Sequence, residues 1–314
     1  MQKLFFLLAI AVVSGLFSSC DKVDNPYPPA PEAPFCDTPA FVQNTDTART
    51  VLLEDFTGHR CPNCPYAGYI GMQEQANLET QGKKLLLVAV HATDLAEPLT
   101  SGTEFLSEYR TEAGDNFGNL TDSYSEFFGG ATGFAYVPIG MIDRAVYNTS
   151  TSVDIGDWTA AINDRYNVPA GAMMQMEVSY DAGLNKACVW VETEFRDDMT
   201  GDFNLVVYIV EDSIVDWQTM GMTPVPGYPT NQNIDNYVHR HVLRDAVNGN
   251  WGQPVATGSV VAGEKVIKGY TYDFNDTEHN NRRASFNKEH LSFIAYVYRN
   301  DTKEILQAVE MHME

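Results

Sequence analysis

Basic side chains, cysteine and long apolar runs are all scarce in this 314-residue chain. Only 20 lysines and arginines stand against 42 aspartates and glutamates, a formal charge of −22. Such a surface repels phosphate backbones and anionic headgroups, which excludes nucleic acid as a partner. The longest apolar run, Leu4 to Leu16, falls short of the roughly 20 residues that a membrane-spanning helix needs. Cysteine occurs 5 times, and no second CxxC or CxxH pair exists to complete a zinc site around Cys61 and Cys64. No internal repeat is evident, and no cofactor-binding motif stands out. What is there suits a packed interior: 44% of residues are hydrophobic and 20% charged, in a chain long enough for two domains.

Residues 1–19 carry one lysine, the apolar run and then small residues, the order of an export signal. Phe17-Ser18-Ser19-Cys20 resembles a bacterial lipobox. That resemblance implies cleavage before Cys20, acylation of Cys20 and attachment to a membrane through lipid. Residues 20–45 contain six prolines between Pro26 and Pro39 and read as an extended tether. Asp21 and Asp24 resemble the surface-export signal of Bacteroidota lipoproteins, whereas in enteric bacteria Asp21 signals inner-membrane retention. The expectation is an outer-membrane protein, periplasmic or surface facing, in an exterior compartment where disulfides persist.

From Thr50 the pattern is strand (Val51 to Phe56), helix (Pro65 to about Thr80), strand (Lys84 to His91). The strands are nearly all apolar, as in a parallel βαβ unit covered on both faces. Residues 92–131 read as an insertion with a helix over about 104–113. Pro138 lies in strand-like surroundings, where it marks a strand start, an edge or a cis bond. Trp158, Ile162 and Tyr166 share one face of a closing helix, which completes an α/β domain over 46–168. From residue 169 to 314 the period becomes two, with strands expected near 174–180, 186–195, 203–211, 237–244, 264–274, 290–299 and 304–313. That is the pattern of an all-β antiparallel sandwich of immunoglobulin-like type.

Cys61 and Cys64 stand where a strand gives way to a helix. The unsatisfied amides and dipole of a helix start favour a thiolate, so Cys61 is the expected attacking sulfur and Cys64 the resolving one. A disulfide that never turns over is the other reading of the same spacing. His59 and Arg60 either add positive potential to Cys61 or are solvated. His91, at the end of the neighbouring strand, is either an acid or base for the pair or a capping histidine. His239 and His241, two apart on an expected strand, would project from one face and hold a metal edge-on, though no third ligand is evident. The stretch from Trp217 to Asn236 reads as a long loop, either a partner surface or edge cover. Cys188 falls opposite the apolar face of its strand, on an exposed side, and Cys36 and Cys188 either pair or stay free.

Asp55-Phe56, followed by Cys61 and Cys64, resembles the active-site strand and turn of the thioredoxin family. By that resemblance Asp55 is the buried acid that exchanges a proton with Cys64, and Val137-Pro138 is the cis-proline loop that pairs with an extended substrate. The chain departs from the family in having Thr57, His59 and Arg60 where tryptophan is usual, and in the length of residues 92–131. More widely, the lipobox, LLEDFTGHRCPNCP, VAVHA, VPIGMIDR and HRHVLRDAVNGNWG resemble the twenty-eight-kilodalton outer-membrane-protein family of Bacteroidota. These lipoproteins pair a thioredoxin-like domain with a C-terminal β-domain. This wider resemblance fixes architecture and leaves redox and adhesin-like binding roles both open; the thioredoxin resemblance implies thiol–disulfide exchange with extracytoplasmic protein thiols or disulfides. The rival expectation is a surface binding protein or adhesin in which the cysteine bond is structural and the sandwich binds the partner.

Overall fold

A run of valine and leucine with nothing charged until Glu54 has no solvent-facing side, and Thr50–Thr57 (β1) is accordingly buried along nearly its whole length. The computed structural model describes residues 35–114, 136–276 and 286–313; the expected signal, Cys20 and residues 115–131 of the insertion lie outside them. After β1 come helix α1 (Cys64–Glu79) and strands β2 (Lys84–His91) and β3 (Ile139–Ile142), then helix α2 (Trp158–Tyr166). The remainder is β: β4 (Ala172–Asp181), β5 (Lys186–Phe195), β6 (Met199–Thr200), β7 (Phe203–Glu211), β8 (Ile214–Met220) and β9 (Gln232–His239). There follow β10 (Val242–Ala246), β11 (Gln253–Ala256), β12 (Ser259–Val260), β13 (Lys265–Asp273), β14 (Leu291–Arg299) and β15 (Ile305–His312).

One mixed sheet runs in the order β15-β14-β7-β10-β2-β1-β3, with β11 added to β7. β1 pairs parallel with β2, Asp55 opposite Ala89, and antiparallel with β3, Asp55 opposite Gly140. β10 joins β2 through Val242 and Ala89, so strands from both sides of residue 168 share this sheet. Leu52, Phe56, Val88, Tyr208 and Tyr296 fill one of its faces. On the other face, Val51, Leu53, Leu85 and Leu87 pack under α1 and α2 against Ala67, Leu78, Trp158 and Ile162. Further along, Val207, Ile209 and Phe293 meet Val189, Val191 and Phe195 of a second, antiparallel sheet, β13-β5-β4. Each such side chain contributes about 1.5–3 kcal/mol by leaving water. A side chain at Gly140 would run into Trp158 and Leu53, so only glycine lets Trp158 lie across β3.

Charges inside this core are paired. Arg144 grips Glu54 with two hydrogen bonds of 2.7 and 2.6 Å and also donates to the hydroxyls of Tyr208 and Tyr296. Arg49 and Arg165 both donate to Asp143, at 2.7 and 2.9 Å. Removing either partner of such a pair strands an uncompensated charge.

Four expectations are corrected. Residues 102–111 are not helical, and helix appears only at 112–114. Phe105 takes φ +55° and buries its ring against His59 and Trp217, so tertiary burial overrides helical preference there. The expected loop over 217–236 is largely a hairpin, β8 paired with β9 in its own two-stranded sheet. His239 and His241 do not share a strand face, because the chain turns between β9 and β10 with His241 at φ +52°. Cys188 is fully buried, because Cys36 is bonded to it from the side that the β-pattern left open. The tether is fastened there: Asn44 donates to the Met174 carbonyl, and Gln175 donates to the Val42 carbonyl.

Candidate functional site

β1 ends at Thr57, and a tight turn carries the chain through Gly58, His59 and Arg60 into the first turn of α1. A side chain at Gly58 would collide with the backbone of Leu95, so the turn passes hard against the segment that follows β2. Cys61 and Cys64 are disulfide-bonded at 2.07 Å. The Cys64 amide, one of the free donors at the start of α1, points at Cys61 Sγ from 3.2 Å. The Val137–Pro138 peptide is cis, and the Val137 carbonyl oxygen lies 3.8 Å from the same sulfur. Strand pairing explains the meeting: β3 is the antiparallel neighbour of β1, so the residues just before Ile139 arrive beside the turn just after Thr57.

Asp55 lies two residues before the end of β1 and is buried, with Oδ1 lacking any hydrogen-bond partner. Burial alone pushes its carboxyl up to about 8, so at neutral pH it carries its proton. A cavity of about 50 Å³, room for a water or two, is lined by Asp55, Cys64, His91, Gln218, Tyr237 and His239. His91 Nδ1 is also buried without a partner. Burial holds His91 well below the usual histidine range, with His239 and His59 adding to the effect. His239 is lowered to about 4 by burial, and His59 is lowered mainly by burial as well. All three rings are therefore neutral near pH 7. They surround Tyr109, whose ring lies 5.9, 5.1 and 5.4 Å from those of His59, His91 and His239 and whose hydroxyl donates to Asp216.

Thus Cys61, Cys64, Asp55, Val137, Pro138 and His91 converge on one place, and His59 joins them beneath the turn. Arg60 turns aside, donating to the Asp94 carbonyl. His241 also lines the cavity. No group of three or more histidine, cysteine, aspartate or glutamate residues that would hold a metal occurs among the described residues.

The sequence did not announce the cover. The hairpin β8–β9 lies directly over the cysteine turn. Thr219 N donates to the His59 carbonyl at 2.9 Å, and Gln218 Nε2 to the Cys61 carbonyl at 3.0 Å. Gly221 packs against the Pro62 carbonyl. Met220, Val225 and Ile234 close over Tyr66 and Tyr69 of α1. Pro62 and Asn63 remain exposed, yet Cys61 and Cys64 keep only 1% and 2% of their surface. The one trace of this in the sequence is that Asp216 and Gln218 recur at period two within Ile214–Met220.

The family model for outer membrane protein Omp28 matches residues 121–314, which includes Val137, Pro138 and the hairpin but not the cysteine pair. No curated protein matches the chain. Among solved structures, HBP35 of Porphyromonas gingivalis is similar at 13% identity, covering 86% of this chain and 77% of its own, with a TM-score of 0.55, a likeness of fold. A domain of the outer membrane lipoprotein Omp28 from Porphyromonas gingivalis is 22% identical over 46% of this chain and 89% of its own, with a TM-score of 0.29. No helix among the described residues is long and apolar enough to cross a membrane. With the family model spanning more than half of its length, this chain belongs to the Omp28 family of outer membrane proteins.

Proposed function

We propose that the protein is held to the outer membrane by lipid on Cys20 and carries out thiol–disulfide exchange on extracytoplasmic proteins. In this reading residues 46–168 form a thioredoxin-like unit that supplies the chemistry, and residues 169–314 form a sandwich-type unit that covers and positions it. One observation carries it: the Cys61 sulfur lies between a helix-start amide and the carbonyl preceding a cis proline, while a protonated Asp55 faces the cavity beside Cys64.

For the oxidised form present here, the exchange runs as follows. A partner thiolate attacks Cys61 Sγ, forming a partner–Cys61 bond as the Cys61–Cys64 bond breaks. Cys64 leaves as a thiolate and takes the proton that Asp55 holds. A second partner thiolate then attacks the partner sulfur of the mixed disulfide. Cys61 departs as a thiolate, and the partner is left with a disulfide. Two electrons pass from the partner dithiol to the pair. Pro138 has no N–H, so the backbone at Val137 is left to pair with the visiting segment.

A second reading has its own observation in the 1% and 2% exposure of the two cysteines, which suits a structural bond in a surface binding protein. Trapping separates the two. In the reverse direction of the same exchange, the lone Cys61 thiolate of Cys64→Ala attacks a partner disulfide and no Cys64 remains to resolve the product, so Cys64→Ala expressed in its exporting host is expected to accumulate mixed disulfides that vanish in Cys61→Ser/Cys64→Ala. Their absence, with the protein folded and exported, leaves the structural reading standing.

A further inference from the structure

We propose that the β8–β9 hairpin is a hinged cap that must lift from the cysteine turn before any thiol can reach Cys61. This rests on the exchange reading, and it names how access to that site is regulated.

Four features support it. The hairpin is a sheet of its own, with no strand pairing to the eight-stranded sheet beside it, and an isolated two-stranded ribbon is only marginally stable. Its underside is polar: Asp216, Gln218 and His239 face Tyr109, the Cys61 carbonyl and His91. Its apolar attachment is small: Met220, Val225 and Ile234 on the tyrosines of α1, and Trp217 against Phe105. Segments with few apolar contacts open locally at a fraction of the cost of global unfolding. Lastly, both ends carry left-handed residues, Ser213 at φ +59° before β8 and His241 at φ +52° after β9. Such terminal positions absorb backbone rotation when an element swings.

The tip offers the means to test this. Gly221 is not in the left-handed region, but a methyl group there would collide with the Pro62 carbonyl and approach Asn63 Oδ1 at 3.3 Å. Gly221→Ala is therefore a wedge between cap and cysteine turn, while Gln218→Ala removes the hydrogen bond to the Cys61 carbonyl without adding bulk. The readout is the rate at which a small phosphine reduces Cys61–Cys64 in the purified full-length protein, alongside backbone hydrogen exchange over residues 214–239 and over β14. Overpacking of one methyl makes the expected acceleration about tenfold for Gly221→Ala, with a smaller gain for Gln218→Ala. Exchange should rise in the hairpin and stay unchanged in β14. The cap is refuted if both variants are reduced at the wild-type rate, or if reduction speeds up only together with exchange in β14. The assay needs no partner protein, so it stands apart from the exchange reading. Faster reduction in Gly221→Ala without mixed disulfides in Gly221→Ala/Cys64→Ala upholds the cap and discards exchange.

Discussion

The two disulfides are the same bond in opposite settings. Cys61–Cys64 closes a loop with a sequence separation of 3, and Cys36–Cys188 closes one of 152. The first has a polar cavity, a buried acid and three neutral histidines around it; the second joins the tether to the middle of an antiparallel sheet, with Trp190 Nε1 donating to Cys36 Sγ. A cross-link restrains the unfolded chain in proportion to the logarithm of loop length, so the long bond is worth about 5 kcal/mol and the short one about 1.6 kcal/mol on that account. The long bond is thus the stabilising one. The short bond gives little stability for a site that buries Asp55 at a cost, the usual sign of a site shaped for something other than stability.

The contrast is broken most directly at the long bond. Cys36→Ser/Cys188→Ser is expected to lose about 5 kcal/mol in denaturant unfolding. A loss no greater than that for the short pair would remove the distinction. Next comes Asp55→Asn. The folded carboxyl titrates near 8 against an ordinary 3.8, so the unfolded chain gives up its proton first and stability falls as pH rises through that window. The substitution is expected to stabilise by on the order of 6 kcal/mol at pH 9 and hardly at all at pH 4, as read from unfolding curves at both. His59, His91 and His239 work with the opposite sign. Held neutral by burial, they let the unfolded chain take up protons as pH drops below about 6.5, so stability is lost there. The smallest effect is expected from Cys61→Ser/Cys64→Ser, about 1.6 kcal/mol, with hydrogen exchange in β8 and β9 unchanged if the hairpin holds the turn by its own contacts.

Much of this architecture could be read from the chain. β1 and β2 follow from nearly all-apolar runs, and β5, β7, β14 and β15 lie within a residue of the expected strands. The cysteine turn was visible through its spacing, and Val137-Pro138 through a proline set among strand formers. The cover was not visible. In β8 the side chains aimed at the site are Asp216 and Gln218, so the strand lacks the apolar alternation that betrays a buried face. Its contact with Cys61 spans 157 positions, beyond any local signal. The helix expected over about 104–113 is absent up to residue 111 for a related reason: Phe105 and Tyr109 are buried among the histidines by long-range packing.

The short bond lies wholly inside the loop that the long one closes. A chain delivered amino terminus first therefore presents Cys36, Cys61 and Cys64 together, long before Cys188 arrives. The correct outcome requires the first thiol to ignore its two early neighbours and wait for the last. Closure of Cys61 with Cys64 first, a step of only three residues, would leave Cys36 no partner but Cys188. A chain blocked at that step should emerge with Cys36 joined to the wrong sulfur.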